Sequence, residues 1–209
     1  MDEGHVGVDE SGKGDYFGPL VIAACFVGPE HLAELEGVRD SKSMADSVAV
    51  KLAAAIRRTC PHKVVTIRPS RYNELYREIG NLNRLLAWGH ARSIEEVLAQ
   101  RPATLVISDQ FADPAVLQRR LFELGRRVEL RSMVRGERDI AVAAASVLAR
   151  AEFLRRLKEL GEEFGIGLPK GAGPQVLEVA KRIVRERGED SLAQVAKLHF
   201  KTTQTVLAG

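Results

Sequence analysis

The sequence predicts an α/β fold in which a mixed sheet is flanked by helices and a helical part closes the chain. Three observations indicate this fold. Two apolar runs come first, further apolar runs then alternate with helical patterns, and several runs are apolar throughout, as in strands covered on both faces. With 209 residues, 45% of them hydrophobic, a single compact domain over residues 1–209 is the simplest organisation.

Five segments have the composition of strands. They are short, largely apolar and bounded by turn residues, and they cover residues 5–9, 20–27, 63–68, 104–108 and 128–133. The second is almost entirely apolar and therefore predicts a central strand. Gly18 and Pro19 mark its entry, and Pro69 ends the third.

Helical spacing of apolar residues fills most of the remaining chain. It covers residues 47–58, 81–100, 115–124, 140–160 and 173–187 and the stretch from 191 onward. Gly125 stops the short third helix, and the Ala-rich first half of the fourth predicts a buried helix. The last two patterns predict a helical C-terminal region over about 165–209.

The charges are distributed unevenly along the chain. Residues 1–114 carry 13 basic and 16 acidic side chains, whereas residues 115–209 carry 18 and 12. The basic half contains recurring clusters, namely Arg119-Arg120, Arg126-Arg127, Arg131-Arg135-Arg138, Arg155-Arg156 and Lys181-Arg182-Arg185-Arg187. They are suited to phosphate-backbone contact, but interleaved glutamates make an ordinary solvated helix face an equally good interpretation.

Nothing in the sequence indicates a membrane or secreted protein. The first residues are acidic, and no uncharged apolar stretch reaches the roughly 18 residues that a membrane span needs. We therefore expect a cytosolic protein, without a membrane partner and most simply a monomer.

Cys25 and Cys60 form no C-x-x-C pair, so we interpret both as buried or incidental thiols.

The most informative stretch follows the first predicted strand. Asp9 and Glu10 end that strand and precede Gly12-Lys13-Gly14. Carboxylates are the hard oxygen ligands that Mg²⁺ and Mn²⁺ prefer, and glycines let backbone N–H groups approach an anion while the lysine adds a charge. A polar turn between two strands is the plainer interpretation of the same residues.

The same stretch is one residue short of a nucleotide-binding phosphate loop, G-x-x-x-x-G-K-[ST]. Gly14 stands where a hydroxyl should bind Mg²⁺, and the two acids would face the nucleotide phosphates. The sequence therefore argues against an NTPase and against a nucleotide cofactor.

Further acids lie at the ends of apolar elements. Asp109 follows the fourth predicted strand, and Glu137 or Asp139 precedes the Ala-rich helix. Carboxylates about 4 Å apart repel by roughly 4 kcal/mol at an effective dielectric constant near 20, so a converging cluster requires cations or protons. Two divalent ions would neutralise it and activate water for attack on a phosphodiester.

The sequence leaves open the direction of the Glu10 side chain and the roles of two histidines. Neighbouring strand residues point to opposite faces, so we expect Glu10 to lie in the turn or to contribute through its backbone carbonyl. His90 and His199 are candidate general bases, although a helix-surface or packing histidine is the favoured interpretation of both.

In this order along the chain, the motifs resemble those of ribonuclease HIII, a relative of ribonuclease HII that cuts the RNA strand of RNA/DNA hybrids. The segments that carry the resemblance run nearly end to end and are residues 9–20, 40–42, 80–83 with 85–91, 109–111, 141–150, 168–173 and 196–200. The resemblance implies a ribonuclease H-like fold with a five-stranded sheet and a two-metal site of Mg²⁺ or Mn²⁺.

By the same resemblance, the catalytic metal ligands are Asp9, Glu10, Asp109 and Glu137. Glu137 is preferred to Asp139 because the fourth acid of the family follows a basic-small pair, here Arg135-Gly136. The implied substrate contacts are Gly12, Lys13, Gly14, Asn81, Asn83 and Lys42. Helix capping is an equal alternative for the two asparagines.

The resemblance favours the HIII type over the HII type. Lys13 stands between the glycines where the HII type has arginine, and no tyrosine follows Tyr76 to read a single ribonucleotide. We therefore expect cleavage within runs of ribonucleotides, without the N-terminal substrate-binding domain usual in ribonuclease HIII. The alternatives are excision of single ribonucleotides and a non-catalytic hybrid-binding module.

Overall fold

The computed structural model describes residues 4–38 and 44–208 and contains a five-stranded sheet. The strands are β1 (His5–Ser11), β2 (Leu20–Val27), β3 (His62–Ile67), β4 (Leu105–Asp109) and β5 (Glu129–Met133). Their order across the sheet is β3-β2-β1-β4-β5. Strand β1 pairs parallel with β4, and β4 pairs parallel with β5. The predicted mixed sheet flanked by helices is confirmed.

The helices are α1 (Asp46–Thr59), α2 (Pro69–Ile79), α3 (Leu82–Gln100), α4 (Pro114–Gln118), α5 (Ile140–Phe164), α6 (Pro174–Arg187), α7 (Leu192–Val195) and α8 (Lys201–Leu207). Short 3₁₀ segments cover Pro29–Leu35, Gly125–Arg127, Gly136–Arg138 and Glu189–Ser191. No helix among the described residues combines the length and the apolar character that a membrane crossing requires. The cytosolic location stays a prediction.

Two predicted boundaries were wrong. β3 ends at Ile67 rather than at Arg68, and Pro69 begins α2, which was not predicted, because a proline fits the first turn of a helix. The helix predicted over 115–124 stops at Gln118. The carboxylate of Glu95 on α3 accepts the backbone N–H groups of Leu124 and Gly125 at 2.9 Å, so a side chain binds these groups instead of a continuing α-helix.

The chain divides into two compact units. The first comprises the described residues of Met1–Glu10, Ile22–Val65 and Asn81–Ala151, and the second comprises those of Ser11–Val21, Thr66–Gly80 and Glu152–Gly209. The prediction of a single domain over the whole chain stays a prediction.

In the first unit, helices cover both faces of the sheet beside β1. Asp9 is hydrogen-bonded to Ser146 of α5, whereas the next residue, Glu10, contacts His90 of α3. Because successive strand residues point to opposite faces, α5 covers one face and α3 the other. The Ala-rich first half of α5 is buried as predicted, from Ala141 to Ala149.

In the second unit, aromatic side chains surround the loop between β1 and β2. Tyr16, Phe17 and Tyr72 are completely buried. The ring of Tyr16 packs edge-on against Phe17 and Phe200, and its hydroxyl lies 3.1 Å from the hydroxyl of Thr203 on α8. The C-terminal helical region therefore packs around this loop.

Candidate active site

The carboxyl ends of β1 and β4 bring two acids side by side. Val6, Gly7 and Val8 pair with Val106, Ile107 and Ser108. Continuing this register places Asp9 opposite Asp109. Parallel strands end at the same edge of a sheet, and acids there commonly serve a site.

Asp9 is a buried carboxylate in negative surroundings. Burial raises the pKa of Asp9 to about 8, and the charges of Glu10 and Asp109 act in the same direction. Hydrogen bonds from Ser146 and from the backbone N–H of Glu10, the latter at 2.7 Å, oppose the shift. The carboxylate therefore retains a proton near neutral pH unless a cation takes its place.

Glu10 points toward α3. It is the sixth residue of β1, so the expectation that it lies in the turn is wrong. Its Oε2 atom lies 3.0 Å from Nε2 of His90, whose side chain has no exposed surface. Since an ionised carboxylate only accepts hydrogen bonds, Nε2 donates. His90 is thus a buried partner of Glu10, and the helix-surface interpretation of His90 is wrong.

His90 is itself held in place. Its Nδ1 atom lies 3.4 Å from the hydroxyl of Ser108, the residue before Asp109, and its ring packs 4.5 Å from that of Phe111. The sequence contained a signal for this role. Leu86, His90 and Val97 share one side of α3, and helical spacing therefore places the histidine on the buried face.

Asp109 is oriented by the segment that follows β5. Its Oδ1 atom accepts the backbone N–H of Gly136 at 2.8 Å. A Cβ atom on Gly136 would lie 3.0 Å from the Cα of Asp109 and 3.1 Å from Oδ1, so a larger residue would crowd this contact. Packing against Asp109 therefore explains why a small residue, Gly136, follows Arg135.

Glu137 and Asp139 occupy different surroundings. The Oδ1 atom of Asp139 accepts the N–H groups of Ala141 and Val142, both at 3.0 Å, in the manner of a helix N-cap. Its Oδ2 atom lies 2.7 Å from Nε2 of His5. Glu137 is half-buried and lines a groove of about 1180 Å³. Of the two acids, Glu137 is thus the one beside a space that a ligand could enter.

The acids do not form a closed cage. Within residues 4–38 and 44–208, no three His, Cys, Asp or Glu side chains stand close enough to hold an ion as they are. The donor chemistry nevertheless fits a hard divalent cation. Asp9, Glu10 and Asp109 concentrate negative charge, and a cation would replace the proton that burial otherwise keeps on Asp9.

The arginines of the basic clusters differ in whether they form ion pairs. Several arginines pair with glutamates two to four residues away, as on a solvated face: Arg127 with Glu123, Arg131 with Glu129, Arg155 and Arg156 with Glu152, and Arg182 with Glu186. Arg135 and Arg138 differ from these. Both are exposed, both line the groove beside Glu137, and neither forms an ion pair with a carboxylate of the described chain.

Arg135 also has an unusual backbone. Its φ of 57° and ψ of 53° lie in the left-handed region, and among the described residues it is the only non-glycine with positive φ. Such conformations are costly and cluster at functional sites. Here the turn directs the N–H of Gly136 onto Asp109.

The implied substrate contacts are distributed as follows. Gly12, Lys13 and Gly14 form a loop of the second unit, and Gly12 has a φ of 88°. Asn81 caps α3, its side chain accepting the N–H of Arg84 at 3.1 Å, and Asn83 is exposed in the first turn. Capping is thus shown for Asn81. Lys42 lies outside the described residues.

His199 is exposed in the second unit and stacks on the ring of Tyr76 at 4.5 Å. Burial lowers its pKa, and the charge of Lys197 acts in the same direction. His199 thus packs on aromatic rings, and the choice between packing and a general-base role stays a prediction. Cys25 and Cys60 are both buried, as expected.

The chain is similar to proteins of one family along nearly its whole length. The sequence profile of the family described as ribonuclease HII matches residues 6–203. The ribonuclease HIII of Protochlamydia amoebophila is 43% identical over 205 residues, which cover 97% of this chain and 68% of the relative.

Two solved structures show the same fold. A crystal structure of Bst-RNase HIII in complex with Mn²⁺ superposes with a TM-score of 0.91 at 37% identity, covering 99% of this chain and 70% of that one. The ribonuclease HII in a PCNA complex from Archaeoglobus fulgidus gives a TM-score of 0.79 at 28% identity, covering 97% and 96%. The chain therefore belongs to the ribonuclease HII/HIII family, whose ribonuclease H fold it shares.

Proposed function

We propose that the chain hydrolyses the RNA strand of RNA/DNA hybrids internally with two Mg²⁺ or Mn²⁺ ions, leaving 5′-phosphate and 3′-hydroxyl ends. One observation carries the proposal. Asp9 and Asp109 stand opposite each other at the carboxyl ends of adjacent parallel strands, in a chain that matches ribonuclease HIII over nearly its whole length.

Asp9, Glu10, Asp109 and Glu137 would hold the ions. Divalent ions bound to such carboxylates lower the pKa of coordinated water and stabilise the charge on the leaving oxygen. No side chain has to act as a nucleophile. The protein's task is to fix the carboxylates before the substrate arrives.

Each fixed acid has a defined partner. Ser146 is hydrogen-bonded to Asp9, His90 donates to Glu10, and the backbone of Gly136 donates to Asp109. Partners of this kind hold metal ligands in orientation and restrict their rotation. Mn²⁺ is the ion named for the Bst-RNase HIII structure, which supports a divalent-ion requirement for this chain.

The substrate contacts that we propose are of two kinds. Arg135 and Arg138 bind phosphates in the groove beside Glu137, because both are exposed there and neither is ion-paired with a described carboxylate. The loop of Gly12, Lys13 and Gly14 contacts the hybrid backbone and its ribose 2′-hydroxyls. Asn81, Asn83 and Lys42 complete the proposed contacts.

The test combines one variant with mapped cleavage. Asp109→Asn keeps the oxygen that accepts the N–H of Gly136, so we expect it to fold normally and to lose cleavage in Mg²⁺ and in Mn²⁺. Cuts should be mapped on a uniform RNA/DNA hybrid and on a duplex with a single ribonucleotide. Wild-type turnover by the folded variant defeats the proposal, and cuts confined to the single ribonucleotide assign HII-like excision instead.

A further inference from the structure

Lys197 is a completely buried lysine of the second unit whose three donors all have acceptors. Its Nζ atom donates to the carbonyl oxygens of Asp15 and Gly18, each at 2.7 Å, and to that of Phe17 at 3.4 Å. Lysines are almost never fully buried without such compensation. Burial lowers the pKa of Lys197 to about 7, and the Asp15 carboxylate opposes the shift.

The residues that Lys197 holds directly follow the loop of Gly12, Lys13 and Gly14. The N–H of Asp15 bonds back to the carbonyl of Gly12 at 3.4 Å. Gly12 itself cannot be replaced without strain, because its φ is 88° and a Cβ atom there would lie 2.2 Å from the carbonyl oxygen of Pro19. The loop is thus constrained at Gly12 by the close approach of Pro19 and after Gly14 by the hydrogen bonds of Asp15.

Further hydrogen bonds fasten residues 15–18 to the same C-terminal segment. Gly171 exchanges two bonds with this stretch, since its N–H donates to Oδ1 of Asp15 at 2.6 Å and its carbonyl accepts the N–H of Tyr16 at 2.8 Å. The backbone N–H of Lys197 donates to Tyr16, and Gly18 donates to Val195, both at 2.9 Å. The Lys197 side chain adds to these bonds, because its Nζ atom binds the carbonyl oxygens of Asp15, Phe17 and Gly18 at one point.

We propose that Lys197 is a positioning residue for substrate recognition, which holds the backbone after Gly14 so that the Gly12–Lys13–Gly14 loop keeps the shape that selects RNA/DNA hybrid over duplex DNA. The inference rests on the proposed function, in which this loop contacts the ribose 2′-hydroxyls. A loop already held in its bound shape loses little conformational freedom on binding, so its contacts translate into affinity and discrimination.

A purely structural lysine would behave differently. Its removal would lower stability, but the relative affinity for hybrid and duplex DNA would stay as it was. The ratio of the two affinities therefore separates positioning from folding. It is measured by fluorescence anisotropy without divalent ions, so that no cleavage occurs.

Lys197→Met keeps the length of the side chain and removes its donors. We expect hybrid affinity to fall at least tenfold and duplex-DNA affinity to change less than twofold, with Mn²⁺ affinity of the folded variant also within twofold. The matched control is Ile183→Ala, which empties part of the buried α6 packing in the same unit and should leave the ratio unchanged.

A milder variant covers the case in which Lys197→Met does not fold. Asp15→Ala removes the bond to Gly171 and the carboxylate charge near Lys197 but keeps the three Lys197 hydrogen bonds to backbone, and it should lower the ratio about threefold in the same direction. A folded Lys197→Met with a wild-type ratio overturns the inference, as does an unchanged Asp15→Ala or an equal loss in Ile183→Ala. If the wild-type chain itself shows no preference for hybrid, the proposed function fails and the inference fails with it.

Discussion

The Nε2 atom of His90 lies 3.0 Å from Oε2 of Glu10, although 80 positions separate the two residues in the chain. The contact joins the end of β1 to the buried face of α3. Asp9 and Glu10 are consecutive strand residues that point to opposite faces of the sheet, and the two acids therefore have different partners.

The first prediction concerns His90. Replacing it with leucine removes the donor to Glu10 and should weaken Mn²⁺ binding by about 10-fold to 100-fold, the usual range for partners of metal ligands. His90→Gln keeps an N–H donor on a side chain of comparable reach and should recover much of the affinity. Calorimetric titration with Mn²⁺ measures both variants. Equal affinity of the leucine variant and the wild type would show that His90 only fills space.

The second prediction separates Glu137 from Asp139. Asp139→Ala removes the α5 cap and the contact with His5, so we expect the free energy of unfolding to fall by about 1–2 kcal/mol while most activity of the folded protein remains. Glu137→Gln should do the reverse, with an intact fold and at least a hundredfold loss of cleavage. Denaturant titration and cleavage rates of both variants decide the assignment.

The stability loss of Asp139→Ala should also depend on pH. Although burial acts to raise the pKa of Asp139, its hydrogen bonds to His5 and to the backbone prevail and leave the pKa lowered. A carboxyl with a lowered folded pKa contributes stability above its unfolded pKa and loses it as pH falls through the folded value. The difference between the variant and the wild type should therefore shrink in acid. A constant difference down to pH 3 would contradict this account.

The third prediction concerns Asp9 and Mg²⁺. Its folded pKa of about 8 exceeds the ordinary value of 3.8, so the folded, metal-free protein binds the extra proton and its stability falls as pH rises between these values. Mg²⁺ favours the deprotonated carboxylate and should raise the melting temperature more at pH 8.5 than at pH 6. At 100 times the dissociation constant, the gain is about 2.7 kcal/mol.

Asp9→Asn is the control for this measurement, because an amide has no proton to release. Its metal-free stability should vary less between pH 6 and pH 8, and Mg²⁺ should stabilise it little at either pH. An equal rise in the wild-type melting temperature at both pH values would show that Asp9 does not exchange its proton for the ion.

The fourth prediction concerns the arginines of the groove. Hybrid affinity should be modest and fall steeply with salt, and Arg135→Ala or Arg138→Ala should each reduce the slope of log affinity against log salt by about 1. Arg127→Ala is the matched control, since Arg127 is exposed but paired with Glu123. Binding measured between 50 and 200 mM salt gives the slopes. A slope that all three variants share with the wild type would place the phosphates elsewhere.

Much of the fold could be predicted because its signals are local. Apolar runs marked β1, β2 and β4, and the wholly apolar 20–27 segment is β2, buried along its whole length. Their positions at the ends of apolar runs marked Asp9 and Asp109 as candidate site residues, and the register of β1 with β4 places the two opposite each other. A proline is typical both of the end of a strand and of the first turn of a helix. The prediction used only the first of these at Pro69 and therefore missed helix α2.

The sequence by itself determined the strands, the acids at their ends and the glycine–lysine loop, because strand period, turn chemistry and motif spacing act over a few residues. The tertiary structure decided which partner each of these groups has. In the folded protein, His90 is hydrogen-bonded to Glu10, Asp139 caps helix α5, and Lys197 is buried against backbone carbonyl groups of the loop. Such choices depend on contacts between residues distant in the chain, where burial and hydrogen bonding set the free energy of each side chain.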